Sequence, residues 1–288
     1  MKKQIMAIAI ALFCFANSFA QDDLLKELES EQPKEKVVET ATFKGLQIGN
    51  MQSTKMSAKG EWYFVVSHRF GNLKEGFNNF FGLDNALTKI GGIYGITDWL
   101  TVSVSRHTYN KIYETGIKYR FANQEIDGFP VTIVGYNTID INSALKTDQY
   151  PYLTFNDRMA YTSQLLVSRK FNEKFSGQLT PVYVHKNLYD DTTEPKDLFL
   201  LGAGARYKIT KRMSINLDYA ARINLQEGFS SQYQNPFTIG WDIETGGHVF
   251  QLVFSNSQKM NDVAYYANAT DPSAKGAIYF GFNMYRVF

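Results

Sequence analysis

A period-two alternation recurs along this chain and constrains its fold more than any other feature. Between Arg212 and Ile223, the residues Met213, Ile215, Leu217, Tyr219, Ala221 and Ile223 share one face, and Arg212, Ser214, Asn216, Asp218 and Arg222 share the other. Successive side chains of a strand point to opposite sides, so this order gives a strand with one apolar and one polar face. A helix would mix the two sets around its circumference. The same sorting sets Tyr113, Ile117, Tyr119 and Phe121 against Glu114, Lys118 and Arg120. It recurs with Phe237, Ile239, Trp241 and Ile243 against Thr238, Asp242 and Glu244, and with Met159, Tyr161, Leu165 and Val167 against Arg158, Thr162, Gln164 and Ser168.

Carried along the chain, the alternation predicts strands near 60–70, 86–97, 99–107, 111–121, 129–143, 157–171, 174–187, 197–210, 212–225, 236–245, 247–257 and 276–288. That is about twelve, an even number as single-chain bacterial outer-membrane barrels require. At about ten to fifteen residues they exceed the usual strand of a soluble domain and can cross a bilayer at a tilt. Connection lengths point the same way. Thr97-Asp98, Asn172-Glu173, Lys211 and Gly246 mark tight turns, and the connection at 123–128 is somewhat longer. Long loops at 71–85, 144–156, 188–196, 226–235 and 258–275 alternate with them, 108–110 being a short exception. Short periplasmic turns and longer extracellular loops are the expected asymmetry of an outer-membrane barrel, and a soluble sandwich has no reason to show it.

The N-terminus supplies a route to that membrane. Lys2 and Lys3 precede an apolar stretch from Ile5 to Phe15, and Ser18-Phe19-Ala20 offers small residues where a signal peptidase reads. Residues 1–20 are therefore expected to be a secretory signal, too short for a membrane anchor. The formal net charge is +2, from 30 basic and 28 acidic residues, and removing Lys2 and Lys3 leaves 28 of each sign. A neutral protein has no basic face for nucleic acid. Cys14, the single cysteine, leaves with the signal, which excludes a disulfide framework and thiolate zinc sites.

Residues 21–58 are expected to form a periplasmic extension or plug, with 59–288 as the barrel. Leu24, Leu25 and Leu28 lie on one side of a short charged helix that Pro33 ends. A solvated tail and a docking helix for a periplasmic partner both fit that pattern. Residues 42–53 read as one irregular extended segment, and their place as plug, lid or wall stays open.

Aromatic residues are abundant, with 22 Phe and 18 Tyr. Trp99, Phe121, Phe129, Phe171, Phe175 and Tyr207 fall beside the short turns, where rings with a polar edge suit the headgroup region. The chain ends in a strand closed by Phe288, resembling the signal read by barrel-assembly machinery. Arg286 departs from that pattern, but near a strand end it can snorkel to the interface.

The segments Thr42-Phe43-Lys44-Gly45, Lys59-Gly60-Glu61, Ser67-His68-Arg69-Phe70-Gly71 and Phe80-Phe81-Gly82-Leu83-Asp84 resemble an uncharacterised membrane-bound β-barrel family of Gram-negative outer membranes, a domain of unknown function. The resemblance implies localisation in the outer membrane, with lipid around the barrel. It carries no activity, cofactor or binding residues.

The chemistry is expected on the polar faces. Glu61, Arg69, Glu114, Lys118, Arg120, Arg158, Arg206, Lys208, Arg222, Asp242 and Glu244 fall on the polar side of their strands. They are candidate lumen-lining residues, because twelve strands enclose a bore intermediate between a side-chain-filled small barrel and an open porin. Such charges either seal the barrel as a salt-bridge network or set the selectivity of a narrow channel or binding barrel for small polar solutes. The loop from Gly76 to Asp84, with Phe77, Phe80 and Phe81, either folds in as a constriction or packs on the surface.

Ser105 and His107 share one face, as in a lipid-modifying barrel enzyme, but they would face the lumen, and no orienting third group is identifiable. The acidic loop Asp190-Asp191-Thr192-Thr193-Glu194 lacks the ligand spacing of a calcium site. No catalytic residue, cofactor or metal is therefore assigned. The rivals to a channel are a non-conducting scaffold that docks a periplasmic partner through 21–40 and, further off, the lipid-modifying enzyme.

Overall fold

A computed structural model of the protein describes residues 37–192, 194–223, 234–269 and 276–288. The expected signal and the short helix expected around Leu24, Leu25 and Leu28 lie outside the described residues, as does Thr193 of the acidic loop. The strands are β1 (Trp62–Asn72), β2 (Ala86–Thr97), β3 (Leu100–His107), β4 (Ile112–Ala122), β5 (Thr132–Asn142), β6 (Met159–Lys170), β7 (Phe175–Lys186), β8 (Asp197–Lys208), β9 (Met213–Arg222), β10 (Phe237–Thr245), β11 (His248–Ser255) and β12 (Tyr279–Val287). Each pairs antiparallel with its neighbour in sequence, and β12 returns to β1 in register Ser67↔Asn283. Closure satisfies every strand edge, as a span through hydrocarbon requires.

Burial is inverted relative to a soluble protein. On β9, Ser214, Asn216 and Asp218 are buried, while Ile215, Leu217 and Tyr219 are 46%, 40% and 39% exposed. Apolar side chains thus cover the outside and polar ones fill the interior, the arrangement of a transmembrane barrel. At the β1–β12 seam the outer face is ringed: Phe70 stacks on Phe280 and His68 on Phe282. Trp62 stacks on Phe288 with centroids 4.4 Å apart, and the Arg286 guanidinium lies over the same Phe288 ring at 4.6 Å. The outward charge at 286 therefore rests on an aromatic face near the strand end.

Two pieces of the described chain occupy the interior. Residues 42–58 enter from the end that carries the short turns and fold back on themselves. Ile48 N–H donates to Met51 O at 2.8 Å, Ser53 N–H donates to Leu46 O, and Gln47 bridges Gln52. Their extended reading is corrected to a hairpin with its tip at Gly49-Asn50. It fits because the barrel wall is shaved where it passes: a Cβ on Gly204 would lie 2.3 Å from Ile48 Cδ1, and one on Gly202 2.4 Å from Met51 Cε. From the opposite end, the β11–β12 connection brings in the short helix α1 (Asp262–Ala267), every residue of which is buried.

The apolar core follows from these inserts. Val182, Val184, Leu198, Leu200 and Ala220 point inward and pack with Met51 of the hairpin and Val263, Tyr265 and Tyr266 of α1. A second cluster joins Leu46 to Tyr63, Val65, Val249 and Tyr285.

The β1–β2 loop, left open as a constriction or a surface-packed loop, packs on the outside. Asn72 Oδ1 accepts the Lys74 N–H, Asn79 Oδ1 accepts the Gly82 N–H, and Gly82, at φ 89°, sits against the Gly71 backbone. These contacts fold the loop over the end of β1 and leave Phe77 84% exposed, with Phe80 and Phe81 also exposed.

Candidate functional site

The lumen is the candidate site, and the inserts divide it. At the long-loop end a vestibule of about 670 Å³ is lined by Tyr109, Asp140, Arg158, Lys186, Tyr189 and Asp191, among others. At the short-turn end a vestibule of about 360 Å³ is lined by Glu39, Lys44, Lys55, Arg120 and Glu244, among others. The residues lining the two do not overlap.

The hairpin is held by side chains of the wall. Lys118 Nζ donates to the backbone carbonyls of Ser53 (3.0 Å), Lys55 (3.3 Å) and Leu46 (3.5 Å). Arg206 Nη1 donates to the carbonyls of Ala41 and Thr42, and its Nε to Ser214 Oγ. Arg69, 1% exposed, spends its guanidinium on Asn50 Oδ1 (2.7 Å), Asn283 Oδ1 (2.9 Å) and the carbonyls of His68 and Phe282. Gln251 Nε2 donates to Ile48 O and to Asp242 Oδ1, both at 2.6 Å, and Asp242 Oδ2 accepts from Ser214 Oγ. Backbone groups with no ladder partner must find one when buried, and the polar wall supplies it.

The inserted loop is held in the same way. Tyr266 donates to Gln164 Oε1 at 3.0 Å, Asn261 Nδ2 to Asp140 Oδ2 at 2.7 Å, and the Asp262 N–H to Glu114 Oε2 at 3.0 Å. Arg222 donates to the carbonyls of Tyr266 and Ala267 at the end of α1. Burial and the neighbouring Glu114 carboxylate push the Asp262 carboxyl up to about 7, against the pull of Lys89.

The remaining sequence candidates lie nearer the ends. Glu244 pairs with Lys44 at 2.7 Å in the short-turn vestibule, where Arg120 also stands. Glu61 Oε2 accepts the Ala58 N–H at the start of β1. Arg158 caps the carbonyls of Asn142 and Leu145 in the long-loop vestibule, and Lys208 is half-buried at the end of β8. The candidates thus divide among hairpin holders, α1 holders and vestibule residues. Asp218, Gln164 and Gln251 were not singled out from the sequence, although their polar faces on β9, β6 and β11 were the available signal.

Ser105 and His107 do meet, and Glu114 joins them. Ser105 Oγ lies 3.0 Å from His107 Nε2 and donates to Glu114 Oε1 at 3.2 Å, while Glu114 Oε1 sits 3.6 Å from that same Nε2 and accepts from Lys89 at 2.8 Å. An orienting carboxylate belongs on the ring nitrogen opposite the nucleophile. Here acid and hydroxyl share one nitrogen, and Nδ1 has no hydrogen-bond partner. The cluster is built as a buried ion pair with polar neighbours. Among the described residues no group of three His, Cys, Asp or Glu side chains is arranged to hold a metal ion.

The fold is similar to solved porins. The NanC porin aligns over 78% of this chain and 98% of its own, with a TM-score of 0.50 at 8% identity. The KdgM porin aligns over 79% and 99% with a TM-score of 0.47, also at 8% identity, and the CymD monoaromatic hydrocarbon channel over 81% and 89% with a TM-score of 0.40 at 6% identity. No curated protein matches the chain significantly. A family model described as a membrane bound beta barrel domain (DUF5777) matches residues 43–288, hairpin included, and the chain belongs to that family.

Proposed function

We propose that this protein is an outer-membrane barrel that admits small polar solutes, and that the structure is its closed state. One observation carries the reading: two polar vestibules lie on either side of a partition to which the hairpin and α1 contribute, both tied to the wall by side-chain hydrogen bonds. Such bonds are each worth about 1 kcal/mol net and are separate from the strand-to-strand ladder, so the inserts can leave the lumen without unfolding the wall. In this reading the short turns and the hairpin lie on the periplasmic side and the long loops outside. The surrounding outer-membrane lipid contacts the aromatic outer face, and barrel-assembly machinery inserts the chain. Arg158, Lys186 and Asp140 meet a solute at one mouth, and Arg120, Lys55 and Glu244 at the other.

Conductance of refolded protein in a planar bilayer tests this. Discrete ohmic steps are expected, with ion selectivity that shifts toward cations on Arg120→Glu or Arg222→Glu. A folded barrel that stays silent both intact and after deletion of 42–58 would sink passage through the lumen.

A second reading has its own support. The hairpin makes bonds to β1, β4, β8, β9, β10, β11 and β12, more than a freely mobile gate needs. A non-conducting barrel that uses this anchored hairpin to present the preceding chain to a periplasmic partner fits that observation. Loss of partner capture on deleting 21–40, with conductance absent throughout, would favour it.

A further inference from the structure

We infer that the short-turn vestibule is a binding site for small anions bearing carboxylate or phosphate oxygens, with Arg120 as its principal contact. Five charged side chains line it. Glu244 is taken by Lys44 at 2.7 Å, and Glu39 is taken by Lys170, which reaches in from β6 at 2.5 Å. Lys55 and Arg120 form no ion pair with a carboxylate among the described residues. Lys55 Nζ donates to the Lys44 carbonyl at 2.7 Å and lies over the Tyr63 ring at 5.8 Å, and Glu244 acts on it only at longer range.

Arg120 makes no side-chain hydrogen bond or ion pair among the described residues, and its Nε is buried without a partner. Asp98, whose Oδ1 accepts the Lys59 N–H, acts on it only at longer range. Two residues along the same face of β4, beyond the vestibule lining, Lys118 is held by backbone carbonyls and lies over the Tyr136 ring at 5.3 Å, with no ion-pair carboxylate among the described residues. A guanidinium fork with open donors, flanked by an ammonium over a cavity of about 360 Å³, suits a planar or tetrahedral oxyanion. Burial pushes the Lys55 ammonium below its ordinary value, which a seated anion would reverse. The opposite vestibule has the other balance: Asp140, Asp157, Asp190, Asp191 and Glu194 outnumber Arg158, Lys186 and Lys259.

The inference deepens the reading of the lumen as a place for small polar solutes, but its test needs no membrane and no current. Protein refolded in a non-ionic detergent is titrated with inorganic phosphate, followed by ³¹P line broadening, and with succinate, followed by calorimetry. Choline serves as the cationic counter-probe, and heat-modifiable migration reports that each variant is folded. Saturable binding of phosphate or succinate is expected, with none of choline. Arg120→Gln should weaken it at least about tenfold, the scale of one charge-assisted contact, and Lys146→Gln, on an exposed loop outside both vestibules, should leave it unchanged. Absence of saturable anion binding, equal binding by Arg120→Gln, or an equal loss in Lys146→Gln would overturn it. A silent barrel that still binds phosphate keeps this site and loses passage, whereas a conducting barrel that binds no anion does the reverse.

Discussion

The Tyr265 hydroxyl donates to Asp218 Oδ1 at 2.5 Å, while Oδ2 of the same carboxylate accepts the backbone N–H groups of Asn50 at 2.9 Å and Met51 at 3.2 Å. One wall residue therefore ties the tip of the hairpin to the inserted α1. Asp218→Asn keeps the shape but turns one acceptor oxygen into a donor, which must face either the tyrosine or the two amides. Hydrogen bonds to a charged group contribute about 1.5–3 kcal/mol, so a loss of about 2 kcal/mol should raise the displaced population roughly thirtyfold. Amide hydrogen exchange across 46–53, measured beside channel opening in a bilayer, should rise in this variant. Unchanged exchange would separate Asp218 from the latch.

The hairpin also needs room. Gly204 faces Ile48 and Gly202 faces Met51 on consecutive inward positions of β8. A leucine at 204 would occupy the space of the Ile48 side chain, and overpacking of this kind costs about 1–3 kcal/mol. Gly204→Leu should leave a heat-modifiable, folded barrel while exposing 42–58 to protease. Gly202→Ala, which meets chiefly the flexible end of Met51, with the Thr180 carbonyl oxygen at 3.2 Å, should stay protected. Equal protection in both would place the hairpin's hold elsewhere.

These positions show which parts of the molecule could be read in advance. The wall was legible because each strand's two faces meet different solvents, and a period of two records that directly, as on β9. The inserts were not, because their residues obey no period. Hairpin residues such as Gln47, Asn50 and Gln52 are buried by bonds to distant strands, 168 residues away for Asn50 and Asp218. One trace of them stands in the wall. The Leu198–Ala205 run is apolar on both faces, and its inward members Leu198 and Leu200 pack on Met51 and α1 rather than on water. Read that way, a strand apolar on its lumen side marks the place where something is plugged in. The charges were legible as inward-facing but not by role, since Lys118 and Arg206 end on backbone carbonyls that no pattern announces.

The buried Ser105 bears on the lipid-modifying alternative. Its hydroxyl shares His107 Nε2 with Glu114, and all three are buried in the lumen rather than exposed on the outer face. Ser105→Ala should leave phospholipid turnover by refolded protein in mixed micelles equal to that of the unaltered protein, at the level of protein-free micelles. Turnover above that level and lost in the variant would revive the enzyme.

The seating of α1 should depend on pH through Asp262, which belongs to the loop and not to a spanning strand. Burial, reinforced by Glu114, raises its carboxyl to about 7 in the seated loop, and Gln164 Nε2 donates to its Oδ2 at 2.5 Å. An unseated loop would return it to an ordinary aspartate value near 3.9. An acid raised on seating favours the neutral form, so its contribution is fully present below about 4, declines as pH rises, and is lost above about 7. The closed fraction in a bilayer should therefore fall between pH 5 and pH 8. Asp262→Asn, neutral throughout, should flatten that dependence and stay closed at pH 8. A closed fraction that falls equally in Asp262→Asn would assign the response to another group.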